Sequence, residues 1–382
     1  MINDQSDVIP EDEKIQTEAL HNSWSIIEPS HGNPPFERAN HTCVLTQDKK
    51  LIIYGGHDSI GNTLNDLIIY DINRNCWSTV AVNRMLKRHG RRLVISDKFP
   101  NYHIPTALEP SPPPPARSYH TAILYQNFMC VFGGNSDEID GRVYVLEITK
   151  LTWTVCVTSS APSCIKKPRF QHTAVLWGNN MVIYGGTNGN SLHPPIISML
   201  DLVKFKWSTL PTNLPPMYAH SAFIKEDMMF LVGGQTPNPK TCFNIVSLID
   251  GSTIAASNYF PESLMVNRRL LTVTYDSVHD QLFIFGGYTI NKDGAEIGCS
   301  NHLDIVDFAL KSYGTLYSEL CDPGPTPKCG HTAVLHEGCL YIFGGCDRLP
   351  LLNGEWVFCD FSVELWKFLP PAYMPNRVFP QP

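Results

Sequence analysis

Six double glycines, each closing a short apolar run, recur along this 382-residue chain at Gly55-Gly56, Gly133-Gly134, Gly185-Gly186, Gly233-Gly234, Gly286-Gly287 and Gly344-Gly345. The runs that feed them are LIIYGG, FMCVFGG, MVIYGG, MFLVGG, LFIFGG and LYIFGG. A unit returning roughly every 50 residues marks a repeat architecture, in which one supersecondary element is copied and stacked. The repeated residues build the scaffold, so function is sought in what differs between copies.

Each pair belongs to a longer unit. A histidine precedes the first glycine by thirteen residues at His120, His172, His220 and His331, and by fourteen at His41. Small and then apolar residues follow it, as in HTCVL and HTAIL. Downstream of the glycines an apolar stretch ends in an acid, and six residues later comes an aromatic: Asp71 with Trp77, Glu147 with Trp153, Asp201 with Trp207, Asp307 with Tyr313, Asp360 with Trp366. The unit reads as four short strands separated by turns, with no helical period. Six such units around an axis predict an all-β, six-bladed β-propeller with four antiparallel strands per blade. A further strand-like segment around Trp24 leaves a seventh blade as the alternative, or a strand that seals the ring beside the last blade.

The histidine, the double glycine and the spaced aromatic resemble the kelch repeat, over about residues 36 to 369. Two copies depart from it: the fifth carries Leu271 near the histidine position, and the fourth has Ala256 where the aromatic falls. Those blades are expected to pack less well unless neighbours refill the space, since a lost buried aromatic costs ~3–5 kcal/mol. The resemblance implies a kelch propeller over residues 21–369, after an acidic disordered segment at 1–20 and before a Pro-rich tail at 370–382. The five histidines stand at one phase of the repeat, which favours a hydrogen-bonding role in the scaffold over a metal site. No metal or other cofactor is expected.

Composition narrows the function classes. The acidic N-terminus has no apolar core like that of a signal peptide. No apolar run approaches the ~20 residues of a membrane span. The 12 cysteines include no CxxC pair and suit a reducing compartment, so a cytoplasmic, monomeric protein is expected. Specific nucleic-acid binding and membrane insertion are not.

The first two double glycines stand 78 residues apart, against 48 to 58 for the others. The surplus, residues 83–115, carries Arg84, Lys87, Arg88, Arg91 and Arg92 and then the run Pro112 to Pro115. Five of the chain's 29 basic residues, and no acid, fall within residues 84–92; the other 24 face 36 acidic ones. A basic arm on an acidic body can recruit an anionic partner, act as a nuclear import signal or fold back on its own body. A neutral solvated loop is the other reading.

Three residues before the histidine position stand Arg38, Arg117, Arg169 and Lys328, with Arg268 and Arg269 near it in the fifth unit. In kelch proteins that bind peptides, arginines here line the channel mouth and clasp carboxylates, which suits bidentate guanidinium geometry. Pairing with acids of the blades is the competing role. Tyr119, Phe170 and Tyr218 sit alongside, and the loops after the glycines contribute Asn135, Asn188, Gln235, Tyr288 and Arg348. The expected function is a non-catalytic interaction module that binds an acidic or phosphorylated peptide at the mouth, as scaffold or adaptor. The alternatives are an enzyme of the propeller type (an epimerase or a metal-dependent oxidase) and a cytoskeletal or vesicle-trafficking scaffold. No catalytic motif is found: the Glu-x3-Asp-x3-His iron series is missing from the sequence.

Overall fold

The computed structural model describes residues 24–80, 111–136, 141–156, 158, 169–237, 243–260, 264, 266–290, 296–316, 324–347 and 361–370. The N-terminal segment, the basic arm (Arg84, Lys87, Arg88, Arg91, Arg92), Arg348, Asp360 and the Pro-rich tail lie outside them. Among the described residues the only helix is one 3₁₀ turn, Ala256–Asn258, and no helix is long and apolar enough to cross a membrane.

Six four-stranded antiparallel sheets carry the fold. Blade 1 runs Thr42–Leu45, Lys50–Tyr54, Leu67–Asp71 and Cys76–Val80 from first to fourth strand. Blades 2 to 5 repeat this order, starting at Thr121, Thr173, Ser221 and Thr272. Blade 6 comprises Thr332–His336, Cys339–Phe343, Leu365–Phe368 and, as its fourth strand, Trp24–Ile26. First strands adjoin one another in a ring, with Thr42–Leu45 beside both Thr121–Tyr125 and Thr332–His336. The ring therefore closes with six blades. A small three-stranded sheet, Arg268–Arg269, Tyr288–Ile290 and Glu296–Cys299, stands above blade 5.

The segment around Trp24 is thus the missing outer strand of the last blade, and Trp366, which the repeat spacing aligns with the outer-strand aromatics of blades 1 to 3, does not lie on an outer strand. Trp366 lies on the third strand, opposite Ile342 on one side and Ile26 on the other. Trp24 pairs with Phe368 as Trp77 pairs with Tyr70 in blade 1. A long connection after Gly345 carries the third strand to the spacing at which other blades hold their fourth.

The apolar runs before the glycines form the second strands, and four consecutive residues in each are buried, as in Leu51–Tyr54 and Met181–Tyr184. Both faces of such a strand meet neighbouring blades, so its pattern is continuous rather than alternating. Its last aromatic is held between two rings of the next blade. Tyr54 lies 5.6 Å from the His120 ring and 5.0 Å from Trp153. Phe132 packs against His172 and Trp207, and Phe285 against His331 and Trp24. Phe343 packs against His41 and Trp77. In the two departing blades the gaps are filled. Leu271 stands in the histidine position against Gly233, and Phe260 stacks on Phe243 at 4.0 Å behind the short fourth strand Thr253–Ile254.

Candidate functional site

The glycine end of the second strand and the start of the first strand meet on one face, the channel mouth. There the residue after each double glycine bridges the residue two before the histidine position: Ala39 with His57, Ser118 with Asn135, Phe170 with Thr187, Tyr218 with Gln235, Arg269 with Tyr288, Cys329 with Cys346. The next residue in each blade forms a closed ring of six backbone hydrogen bonds. Asn40 donates to Gly330, Gly330 to Leu270, Leu270 to Ala219, Ala219 to Gln171, Gln171 to Tyr119, and Tyr119 to Asn40. All six have positive φ, between 54 and 64°, a conformation that costs a non-glycine residue about 1 kcal/mol or more. The closed ring holds them there and fixes the rim on which side chains are displayed.

The four cations expected to line the mouth are instead in the scaffold. Arg38, Arg117, Arg169 and Lys328 are 0, 1, 2 and 1% exposed. Arg38 Nη1 donates to the Gly55 carbonyl, Arg117 Nη1 to Gly133 and Arg169 Nη1 to Gly185. The backbone carbonyls of the same residues accept the N–H of the preceding blade's second glycine, as Gly56 to Arg117 and Gly345 to Arg38. One residue thereby ties its own glycine turn through its side chain and its neighbour's through its main chain. Arg38 also makes a two-pronged ion pair with Asp66 at 2.7 and 2.8 Å. Arg268, the equivalent residue of blade 5, pairs with Asp304. The Arg117 guanidinium lies 4.9 Å from the Tyr144 ring centre. Lys328 bonds Ser362, and burial lowers its ammonium to about 8, opposed by the nearby Glu364.

The histidines form a second scaffold ring. His120 Nε2 meets Thr42 Oγ1 at 2.9 Å, His172 meets Thr121, His220 meets Thr173, His331 meets Thr272, and His41 meets Thr332. Each joins one blade to the first strand of the blade before. Burial lowers all five, to about 3 for His120, His220 and His331. Among the described residues no group of three or more His, Cys, Asp or Glu is placed to hold a metal ion.

What the mouth does present is different. Tyr119, Phe170 and Tyr218 are half-buried on the rim, with Tyr119 and Phe170 6.3 Å apart. Arg269, one residue beyond the buried Arg268, is also half-buried and turns toward this rim. Its Nη1 donates to Gln235 Oε1 at 3.0 Å, and its guanidinium lies 5.3 Å from the Tyr288 ring centre. Tyr218 Oη donates to the same Gln235 oxygen at 2.5 Å. The structure thus brings Tyr218, Gln235 and Tyr288 together around a cation, over blades 4 and 5. Asn135 is exposed beside blade 2. Asn188 uses its Oδ1 to accept from Asn190 and Ser191 and so shapes its own loop. His57, the residue after the first double glycine, is buried between Asn40 Nδ2 on its Nε2 and the Asp58 carbonyl on its Nδ1, and burial lowers its pKa. Beside blade 6 a cleft of about 520 Å³ is lined by Asp347, Phe361, Val363 and Glu364 among others. Arg269 thus stands over blades 4–5, and Asp347 and Glu364 line the cleft beside blade 6.

A closed six-bladed propeller whose blades are tied by glycine pairs and cross-blade histidines defines the structural class. A model of the "KLHDC2/KLHL20/DRC7 Kelch-repeats domain" matches residues 103–254 and 219–373, and a "Kelch motif" model matches residues 38–81. The chain belongs to the kelch-repeat family. It is 25% identical over 274 residues to the leucine-zipper-like transcriptional regulator 1 homolog of Drosophila melanogaster, covering 67% of this chain and 26% of that protein. It is 23% identical over 289 residues to kelch domain-containing protein 3 of Rattus norvegicus, covering 72% of this chain and 66% of that one. With the Rab9 effector protein with kelch motifs of Xenopus laevis it shares 26% identity over 204 residues, 44% of this chain and 54% of the relative. The matches to the first two thus span from a quarter to just under two thirds of the relatives' own length.

Proposed function

We propose that this chain is a protein-interaction module whose channel mouth binds a peptide segment bearing a carboxylate or phosphate. The observation that carries the reading is the cluster over blades 4 and 5: a half-buried guanidinium, Arg269, flanked by Tyr218, Gln235 and Tyr288. A guanidinium steered by an amide oxygen and set against a ring is held in a fixed plane, a geometry suited to recognising a two-oxygen anion. Tyr119 and Phe170 add flat apolar surface next to it, of the kind that anchors peptide side chains. The Glu364 carboxylate in the cleft beside blade 6 disfavours a second acidic group there, which supports seating the peptide's anion toward blade 5. Relatives named as a Rab9 effector and as kelch domain-containing proteins fit a partner-binding role.

The test is fluorescence polarisation with an acidic and phosphorylated peptide library on the full chain. Arg269→Ala should weaken the selected peptides by at least tenfold, as loss of a charge-assisted hydrogen bond worth ~1.5–3 kcal/mol implies. Tyr218→Phe should weaken them less. Equal binding by wild type and Arg269→Ala would remove the anion from this site.

A further inference from the structure

Three thiols converge on the blade 6 side of the mouth, and neither the propeller scaffold nor peptide recognition uses them. Cys329 and Cys346 are directly opposite each other on a two-residue antiparallel bridge. Each donates its N–H to the other's carbonyl, at 2.9 and 3.0 Å. Their sulfurs stand 3.9 Å apart, and both residues are almost fully buried. Cys299, at the end of the small sheet above blade 5, is half-buried and directs its Sγ to the Cys346 carbonyl at 3.5 Å. The described residues include no metal-holding group of His, Cys, Asp and Glu, so the cluster is not explained as a metal centre.

We infer that Cys299, Cys329 and Cys346 form a peroxide-responsive thiol site that ends in a reversible Cys329–Cys346 disulfide. Directly opposed residues in a hydrogen-bonded antiparallel pair have Cα atoms ~5.5 Å apart, within the ~4.4–6.8 Å span of disulfides. Closing the bond therefore takes side-chain rotation without parting the bridge. Cys299, the most accessible of the three, meets the oxidant first. A hydroperoxide transfers one oxygen to its sulfur, giving a sulfenic acid and releasing water or an alcohol. The Cys329 sulfur then attacks that sulfenic sulfur, hydroxide leaves, and the thiol proton completes a water molecule. Attack by Cys346 on the Cys329 sulfur of this first disulfide expels Cys299 as a thiolate, which takes up the proton Cys346 gave up. One peroxide bond is reduced and two thiols are oxidised. Hydrogen bonding with Cys299 and Cys346, together with burial, raises the Cys329 thiol well above its ordinary value. It is thus kept neutral and inert until a neighbouring sulfur is activated.

The inference stands apart from peptide binding, and its test reads only the thiols. The full chain, carrying Cys339→Ala to remove the other cysteine of the same tryptic fragment, is treated with hydrogen peroxide, alkylated and digested. The fragment from Cys329 to Arg348 should become two hydrogens lighter and unalkylated, and dithiothreitol should reverse the change. Cys299→Ser should slow the conversion several-fold, and Cys346→Ser should stop it at a Cys299–Cys329 linkage. A folded chain in which Cys329 and Cys346 stay alkylatable under peroxide overturns the site. Conversion at the wild-type rate in Cys299→Ser overturns the relay.

Discussion

A Cβ on Gly344 would stand 2.7 Å from the Arg38 carbonyl oxygen and 2.6 Å from the His41 ring, at a φ of +70°. The same crowding recurs at Gly133 against Arg169 and His172, so the double glycine is demanded by the next blade as much as by its own turn. Gly344→Ala combines a strained backbone with a backbone clash and should lower unfolding stability by ~2–3 kcal/mol, read by denaturant titration. The lead-in cations carry a second residue-scale consequence. Asp66→Asn removes the counter-charge of a buried guanidinium and should cost about 3 kcal/mol, the low end of the range for a broken buried pair. The low end applies because Asp66 itself is 30% exposed. Arg117→Ala should likewise destabilise, by ~1–3 kcal/mol for the Gly133 carbonyl left unbonded, and should not act as a specific binding mutation. The two-in-one role of these arginines was not legible in the sequence. An arginine three residues before the histidine reads the same whether its guanidinium faces solvent or its own glycine carbonyl. Only the +54 to +64° turn that follows it decides.

At the scale of strands, the repeat register made blades 1 to 3 readable down to the outer tryptophans, because the histidine stands thirteen or fourteen residues before the glycine pair and the tryptophan six after the acid. The last blade broke that rule. Trp366 follows Gly344 by 22 residues, as Trp77 follows Gly55, yet it sits on the third strand. The fourth strand comes from the other end of the sequence, a pairing no local spacing can reveal. Blade 4 shows the converse: the aromatic missing at Ala256 is supplied by Phe260, four residues on, across the 3₁₀ turn Ala256–Asn258. The position of Tyr218, Gln235 and Tyr288 at the mouth was legible, since all three were placed from their spacing. The cation they surround is Arg269, whose neighbour Arg268 takes the buried position. The closure strand makes a testable demand. Trp24 packs on Phe285, Phe368 and Trp366 at 5.5, 4.8 and 6.5 Å. Trp24→Ala should cost ~3–5 kcal/mol. Hydrogen exchange should rise first in Leu365–Phe368, whose outer partner is Trp24–Ile26, while blades 2 and 3 keep their protection.

For the molecule as a whole, the decisive electrostatic feature is the ring of five imidazoles, each lowered chiefly by burial. Folded, they stay neutral until about pH 3 where a value is resolved; unfolded, they take up protons below ~6.5. A depressed histidine pKa means the unfolded chain binds more protons in between. Stability is therefore complete above ~6.5 and falls as pH drops through that value toward the folded pKa. Each imidazole contributes ~1.4 kcal/mol per pH unit there, so five together approach ~7 kcal/mol per unit. Against a net stability of ~5–15 kcal/mol, acid unfolding should begin within about two units below 6.5, before most carboxylates protonate. Blade 5 supplies the control, because Leu271 occupies the histidine position and fills it with apolar volume. His220→Leu should change stability at pH 8 by no more than ~1–2 kcal/mol, the loss of one hydrogen bond to Thr173 offset by packing. At pH 5 the same substitution should narrow or reverse that deficit, since one fewer proton is taken up on unfolding. Urea titrations of wild type and His220→Leu across pH 5 to 8 measure the difference directly. Parallel pH curves would show that the imidazoles are not held neutral, and the ring of threonine bonds would then need a different protonation state.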